Sequence, residues 1–322
     1  MVATNGRTMR SRRSNLAVPG CSLRMLEKSK VLETDQVFLD LEDSVAPLAK
    51  EQARANVVSV LNEGGYGTRV KVVRINSVNS PWGADDLDQV VRGAGSNLDC
   101  IMLPKVSTVA DVFWLSERLD ALEAQIGLEP ETIGIEVQIE DALGLVNVDA
   151  IAACNSRIET IIFGPADFMA SLNMRTLNVG LQPPGYTEGD AYHYVLMRLL
   201  VAGRAFGKQV IDGPFLGIRD LEGLRLTATR SAALGFDGKW VLHPEQIDIV
   251  NEVYSPSQAD YDHAELILDA YDFYTSSEGG SRGAVMLGNE MIDEASRKMA
   301  LVISAQGRAA GLIRTSTFEE GM

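Results

Sequence analysis

Residues 36–43, QVFLDLED, form a short apolar run that ends in three carboxylates, Asp40, Glu42 and Asp43. Side chains alternate along a strand, so a run that is apolar on both faces belongs to a parallel sheet covered by helices. Charge at the end of such a strand is costly unless it has partners or work to do. Seven other runs share the pattern: NLAVP at 15–19, RVKVVRI at 69–75, DCIMLP at 99–104, IGIEVQI at 133–139, TIIFG at 160–164, QVID at 209–212 and KWVLH at 239–243. Nearly all close on a titratable group: Arg74, Lys105, Glu140, Asp167 after Gly164-Pro165, Asp212 before Gly213-Pro214, and His243 before Pro244. Between the runs lie stretches with helical spacing. Ser107–Gly127 repeats Val112, Leu115, Leu119 and Leu122, with Ser107 placed to cap it, and Pro47–Leu61 carries its proline in the first turn. Eight strands alternating with helices over roughly 260 residues predict an α/β fold, a (β/α)8 TIM barrel whose catalytic groups gather at the C-terminal strand ends. A doubly wound open sheet is the alternative, but no GxGxxG or GxxxxGK[ST] follows an early strand.

The composition fits an ordinary globular protein. The 322 residues are 46% hydrophobic and 23% charged, which excludes disorder for the bulk of the chain. A formal charge of −15 excludes a general nucleic-acid partner. No apolar run reaches the length of a membrane span. The three cysteines, Cys21, Cys100 and Cys154, have neither disulfide-framework nor zinc-knuckle spacing and read as thiols of a reduced, cytoplasmic compartment. The first fifteen residues carry Arg7, Arg10, Arg12 and Arg13 without the apolar core of a secretory signal. Residues 1–13 therefore read as a flexible basic tail, with an arm to a neighbouring subunit or an organelle presequence as alternatives.

Residues 14–274 are assigned to the barrel and 275–322 to a linker and C-terminal module. The Ser/Gly-rich stretch 275–284 reads as a flexible linker. A hairpin, AVMLGNEMI, turns at Gly288-Asn289, and a helix runs from about Asp293 to Ala310. Such a module can act as a lid that excludes water.

Each strand-end group has a plain structural reading beside a chemical one. Glu140 and Asp167 are the best pair to share a hard cation such as Mg²⁺, and three histidines in the whole chain disfavour zinc. Glu140 could instead cap the helix beginning at Asp141, and Asp167 could be a turn residue. Arg74 could clamp a carboxylate or steady an oxyanion, or simply pair with Asp43. Asp293 could be an N-cap or a lid acid/base, and Lys28 a solvated helix charge or a phosphate contact. His193 reads as packing and Trp82 as a loop anchor.

The motifs LAVPG, LEKSK, VFLDLEDSVAPLAKEQAR, RINSVNSPW, IMLPKV, GPADFMASLNM, DGPF and GKWVLHPEQI together resemble the malyl-CoA lyase branch of the citrate lyase β-subunit family, within the HpcH/HpaI aldolase superfamily. The resemblance runs from about Ser14 to Ala310 and includes a C-terminal lid. It implies a Mg²⁺-dependent enzyme, Mn²⁺ being an alternative ion. Such an enzyme reversibly cleaves malyl-CoA or β-methylmalyl-CoA to glyoxylate and acetyl-CoA or propionyl-CoA. Citramalyl-CoA, citryl-CoA or a free-acid pyruvate-type aldol are the alternative substrates. It also implies Glu140 and Asp167 as metal ligands, and Arg74 as the holder of the oxo-acid carboxylate. Glu42 and Asp43 become an acidic pair near metal and Arg74, and Asp293 the acid/base that closes over a neighbouring subunit's site. Lys28 would contact CoA phosphates, and Lys105, Pro165, Ala166, Asp167, Leu242 and His243 the substrate. Relatives have a Ser- or Asn-containing turn after PG; here Cys21-Ser22-Leu23-Arg24 stands there, so Arg24 would make the nucleotide contact from a shifted position. The expected assembly is a homotrimer or a dimer of trimers.

Overall fold

The computed structural model describes residues 10–318. Eight parallel strands close into a barrel in chain order: β1 (Ser14–Pro19), β2 (Gln36–Asp40), β3 (Val70–Arg74), β4 (Cys100–Leu103), β5 (Gly134–Ile139), β6 (Ile158–Phe163), β7 (Gln209–Asp212) and β8 (Gly238–Val241), with β8 pairing back onto β1. Each coincides with one of the eight predicted runs, with ends that differ by a few residues at most; β1, β6 and β8 begin earlier than predicted. Around them lie α1 (Leu23–Ser29), α2 (Lys50–Glu63), α3 (Gly83–Ala94), α4 (Val109–Ile126), α5 (Ala142–Val146), α6 (Val148–Ala153), α7 (Pro165–Ser171), α8 (His193–Ala205), α9 (Leu221–Leu234) and α10 (Ile247–Val253). The cap of α4 is Thr108 rather than the expected Ser107: Thr108 and Asp111 form a capping box, while the Ser107 hydroxyl donates to Asp141. His193 opens α8 and is exposed, so the packing role expected of it is corrected.

The alternation of side chains divides the core in two. One set, including Val37, Leu39, Val73, Ile101 and Val137, faces the helices. The other fills the barrel's interior with Phe38, Val70, Val72, Cys100, Met102, Ile162, Ile211 and Trp240, the Phe38 and Trp240 rings lying 4.6 Å apart.

Arg12 closes the N-terminal end of the barrel. Its guanidinium donates to Gln36 (2.9 Å), Glu136 (3.0 Å), Gln209 (2.5 Å) and Glu159 (2.6 Å), contributed by β2, β5, β7 and β6. Burial opposes its charge, but Glu136 and Glu159 outweigh that and hold it firmly protonated. Arg10 pairs with Asp99, and Arg13 with Asp35. The basic tail expected over 1–13 is therefore corrected at its end: its last arginines are structural, fixed by carboxylates at the base of the strands. Arg7 lies outside the described residues.

The described residues divide into two compact units, the second beginning at Ser255. The boundary expected at 274/275 moves to 254/255, because α11 (Gln258–Thr275) packs on α12 (Glu294–Ala309) through Glu265, which receives bonds from Ser304 and Arg308. The predicted hairpin is present as β9 (Val285–Leu287) and β10 (Glu290–Ile292), turning through Gly288 at φ 58°. Residues 276–284, expected as a flexible linker, form a pinned turn. The Arg282 N–H donates to Tyr274 O (2.8 Å), and its guanidinium lies over the Tyr274 ring. No helix among the described residues is long and apolar enough to cross a membrane.

Removing Arg12 takes the counter-charge from the buried Glu136 and leaves Glu159 with Arg10 at 3.8 Å; breaking a buried ion pair in this way typically costs about 3–5 kcal/mol. Arg12→Met should lose stability of that size in urea unfolding, whereas a loss under about 1 kcal/mol would show that this end does not brace the barrel.

Candidate active site

The C-terminal rim is organised by Arg74. Period-two alternation puts Asp40 on the face of Phe38, and Arg74 on the face of Val72, so both side chains follow interior positions. The β2–β3 register places them opposite each other. Arg74 donates from Nε to Asp40 Oδ1 (2.7 Å) and from Nη2 to Oδ2 (2.8 Å), the bidentate geometry that arginine supplies and lysine does not. Beneath it lie the Phe38 and Trp240 rings, 5.7 and 5.3 Å from its guanidinium carbon. Asp40 also accepts from the Glu42 N–H and from Ser44 N–H and Oγ. Burial alone would raise its carboxyl, but Arg74 and these donors hold it at about 2. Arg74 is kept charged against its own burial by Asp40 and then Glu42.

Glu42, Lys105, Glu140 and Asp167 stand around this pair. Glu42 Oε2 lies 3.1 Å from Arg74 Nη1 without hydrogen-bond geometry, and this buried oxygen has no hydrogen-bond partner. Burial raises the Glu42 carboxyl despite Arg74 and Lys105. Lys105 Nζ is 2.5 Å from Glu42 Oε1, 3.5 Å from Asp43 Oδ1 and 3.9 Å from Asp167 Oδ2. Lys105 has φ 55°, a left-handed conformation unusual for lysine, and its N–H donates to Glu140 Oε1 (2.6 Å). Glu140 is 3% exposed and also accepts from Gln138 Nε2 (2.7 Å). Burial first, then the Glu42 charge, push its carboxyl up to about 8, against the pull of Arg74. Gly164 allows this placement: a Cβ there would fall 2.5 Å from Glu140 Cβ and Oε2.

The structural roles weighed for these residues are sorted by this geometry. Asp141, not Glu140, caps α5, which leaves the Glu140 carboxylate facing the rim. Arg74 pairs with Asp40 and not with Asp43, which is exposed. Asp167 lies in the first turn of α7, half-exposed, with Pro165 buried ahead of it and Ala166 exposed. Leu242 and His243 follow β8, and His243 Nδ1 accepts from Glu245 N. Arg24 and Lys28 are exposed one turn apart on α1, the helix that follows β1. Asp293 belongs to the C-terminal unit and takes its structural role there. It caps α12 through Oδ1, and the Ser296 and Ala295 N–H groups hold its carboxyl below the ordinary range.

Three residues escaped the sequence reading. Asp40 was grouped with the strand-end acids but not recognised as the partner of Arg74, although its spacing from Phe38 signals it. Gln138 lies two residues before Glu140 on the same face of β5. Its Nε2 orients Glu140, while its buried Oε1 has no partner. Lys50 reaches the rim from α2 and donates to Leu41 O, Glu42 O and Asn76 Oδ1, a contact that no local pattern announces.

The donor set fits a hard divalent cation. Counted as fully ionised, five carboxylates, Asp40, Glu42, Asp43, Glu140 and Asp167, face three cations, Arg74, Lys105 and Lys50, an excess of two negative charges that a proton on Glu140 offsets in part and a divalent cation would offset in full. The orphaned Glu42 Oε2 and Gln138 Oε1 are further oxygen acceptors. Among the described residues no three His, Cys, Asp or Glu side chains form a ready cage. Magnesium ordinarily binds through one or two carboxylates, with water and substrate completing the shell.

The family model for HpcH/HpaI aldolase/citrate lyase matches residues 13–244, which include every strand of the barrel. The chain belongs to this family. It is 37% identical over 305 residues to the L-malyl-CoA/β-methylmalyl-CoA lyase of Cereibacter sphaeroides, covering 92% of this chain and 95% of that protein. It is 32% identical over 306 residues to the citrate lyase subunit beta of Escherichia coli K12, with 95% and 96% covered. Among solved structures it resembles the protein CitE from Mycobacterium tuberculosis in complex with magnesium, acetoacetate and coenzyme A. That match has a TM-score of 0.71 and 28% identity over 92% of this chain and 97% of the other. A citrate lyase from Burkholderia xenovorans shares the fold, with a TM-score of 0.80 at 20% identity. The protein is thus an enzyme of a lyase family.

The raised Glu140 has a consequence for pH. The folded, metal-free protein keeps a proton on Glu140 up to about pH 8, whereas the unfolded chain releases it near the ordinary value of 4.5. In that window the folded state binds more protons, so this group makes stability fall as pH rises from 4.5 to 8. Glu140→Gln should flatten the fall in unfolding measurements made in chelator. An unchanged pH profile would show that Glu140 is ordinarily ionised.

Proposed function

We propose that the protein is a divalent-cation-dependent carbon–carbon lyase acting on a β-hydroxyacyl-CoA thioester, malyl-CoA or β-methylmalyl-CoA, and yielding glyoxylate with acetyl-CoA or propionyl-CoA. One observation carries the reading: a fixed arginine within a cluster of five carboxylates, three of them buried, that outnumber the cations among them, in a chain with malyl-CoA lyases among its relatives over nearly its full length.

Glu140 and Asp167 would hold the cation, most simply Mg²⁺. When bound, it supplies Lewis-acid polarisation of the hydroxyl and carboxylate oxygens of the substrate. Magnesium in the complex of the CitE neighbour supports this ion. Gln138 and the Lys105 N–H fix the Glu140 carboxylate, so little reorganisation is needed during reaction. Arg74 binds the carboxylate of the oxo-acid portion. Asp40 positions it by occupying Nε and Nη2, and the aromatic pair beneath keeps its plane fixed. Cleavage moves the hydroxyl proton to a base and leaves the electron pair on the thioester enolate. Condensation requires a carboxylate to take the α-proton of the acyl-CoA. Asp293, in MIDEAS at 291–296, would make that proton transfer at a neighbouring subunit's site, as the family resemblance implies. Arg24 and Lys28, exposed on α1, would meet the CoA phosphates in this reading. A homotrimeric assembly belongs to the same reading.

The similarity to citrate lyase subunit beta supports a second reading, cleavage of a citryl thioester. One assay separates them. Purified protein is incubated with glyoxylate or oxaloacetate and with acetyl-CoA or propionyl-CoA, with and without chelator, and the thioester products are weighed by mass spectrometry. The first reading predicts a glyoxylate adduct that disappears with chelator and returns with Mg²⁺. An adduct formed only with oxaloacetate supports the second reading, and no adduct with either acceptor contradicts both. Arg74→Lys, which loses the bidentate contact, should reduce kcat/KM by at least about a hundredfold. Asp293→Asn with undiminished turnover would remove Asp293 from the mechanism.

A further inference from the structure

Lys105 holds a position that the chemistry of the site leaves unexplained. Its Nζ reaches Glu42, Asp43 and Asp167, and its backbone N–H reaches Glu140, so one residue touches carboxylates following β2, β5 and β6. The side chain is 38% exposed and comes in from the rim. It can therefore swing into solvent on its four-carbon stem without opening the core. Its left-handed backbone at φ 55° keeps the N–H on Glu140 and the side chain among the other acids. A divalent ion held by Glu140 and Asp167 would lie in this same field, and two cations a few ångströms apart repel each other.

We propose that Lys105 is an internal counter-ion that competes with the divalent cation. In the metal-free enzyme its ammonium draws Glu42, Asp43 and Asp167 together; when the cation binds at Glu140 and Asp167, the ammonium withdraws. This rests on the metal reading above, and it replaces the plain substrate contact expected of Lys105. The site is kept assembled before loading, and part of the cation's binding energy goes to displacing the lysine.

The test is calorimetric titration of Mg²⁺ into chelator-stripped wild type, Lys105→Met, Lys105→Arg and Glu140→Gln, with melting curves of each in chelator and in saturating Mg²⁺. Lys105→Met should bind Mg²⁺ about tenfold or more tightly than wild type, because the competitor is gone. It should melt lower than wild type in chelator and level with it in saturating Mg²⁺. Lys105→Arg keeps the charge and should bind Mg²⁺ as wild type does, which keeps the test intact if the methionine variant folds poorly. Equal or weaker Mg²⁺ binding by Lys105→Met overturns the proposal, and so does a melting deficit that persists in saturating metal. If Glu140→Gln loses Mg²⁺ binding while Lys105→Met shows no gain, the metal reading stands and the competition fails. A wild type that binds no Mg²⁺ overturns both.

Discussion

A surplus of carboxylates at one rim of a closed barrel is the constraint on which this structure turns. Carboxylates buried side by side cannot all stay ionised without cations among them, because desolvation and mutual repulsion favour the neutral form. Arg74 meets part of that demand. Fixed by Asp40 and stacked over Phe38 and Trp240, it ties the ends of β2 and β3 to the aromatic interior. What Arg74, Lys50 and Lys105 leave unbalanced falls on Glu140, whose carboxyl is pushed up to about 8. The part of the site that is unstable by itself is thus the part suited to take up a cation.

The two ends of the barrel bury charge in opposite ways. At the base, Arg12 finds acceptors on Gln36, Glu136, Glu159 and Gln209, so the group is satisfied by the fold itself. At the rim, Glu42 Oε2 and Gln138 Oε1 are buried without hydrogen-bond partners. The braced Arg12 guanidinium at the base and the open carboxylate and amide oxygens at the rim match the division of labour in barrels of this kind, with stability at the N-terminal face and chemistry at the C-terminal face.

Much of this was legible in the sequence, for a physical reason. Strands covered on both faces must be apolar along their length, so a charged residue at the end of QVFLDLED or IGIEVQIED announces the rim. Glu42, Arg74, Lys105, Glu140 and Asp167 were found that way, and they do converge. Pairing was less legible. The sequence offers Asp43 as the structural partner for Arg74, although alternation from Phe38 points Asp40 toward it. Lys50 comes from a helix, where no strand periodicity marks it. The arginines at 10–13 read as a tail because their partners, Asp35, Asp99, Glu136 and Glu159, are distant in sequence. The boundary was set too late because α11 has the length and amphipathic spacing of a barrel helix, and only its packing on α12 assigns it to the C-terminal unit.

Membership of the HpcH/HpaI aldolase/citrate lyase family gives these residues a common purpose, and the charge balance gives it a physical cause. The central claim is that the rim holds a divalent cation on Glu140 and Asp167. The most direct measurement is anomalous diffraction from crystals grown with Mn²⁺ and a 2-oxo acid. The account predicts one peak within about 2.0–2.6 Å of carboxylate oxygens of both residues, with Lys105 Nζ moved away from Asp167. A rim without a peak at saturating Mn²⁺, or a peak that contacts neither carboxylate, would contradict it.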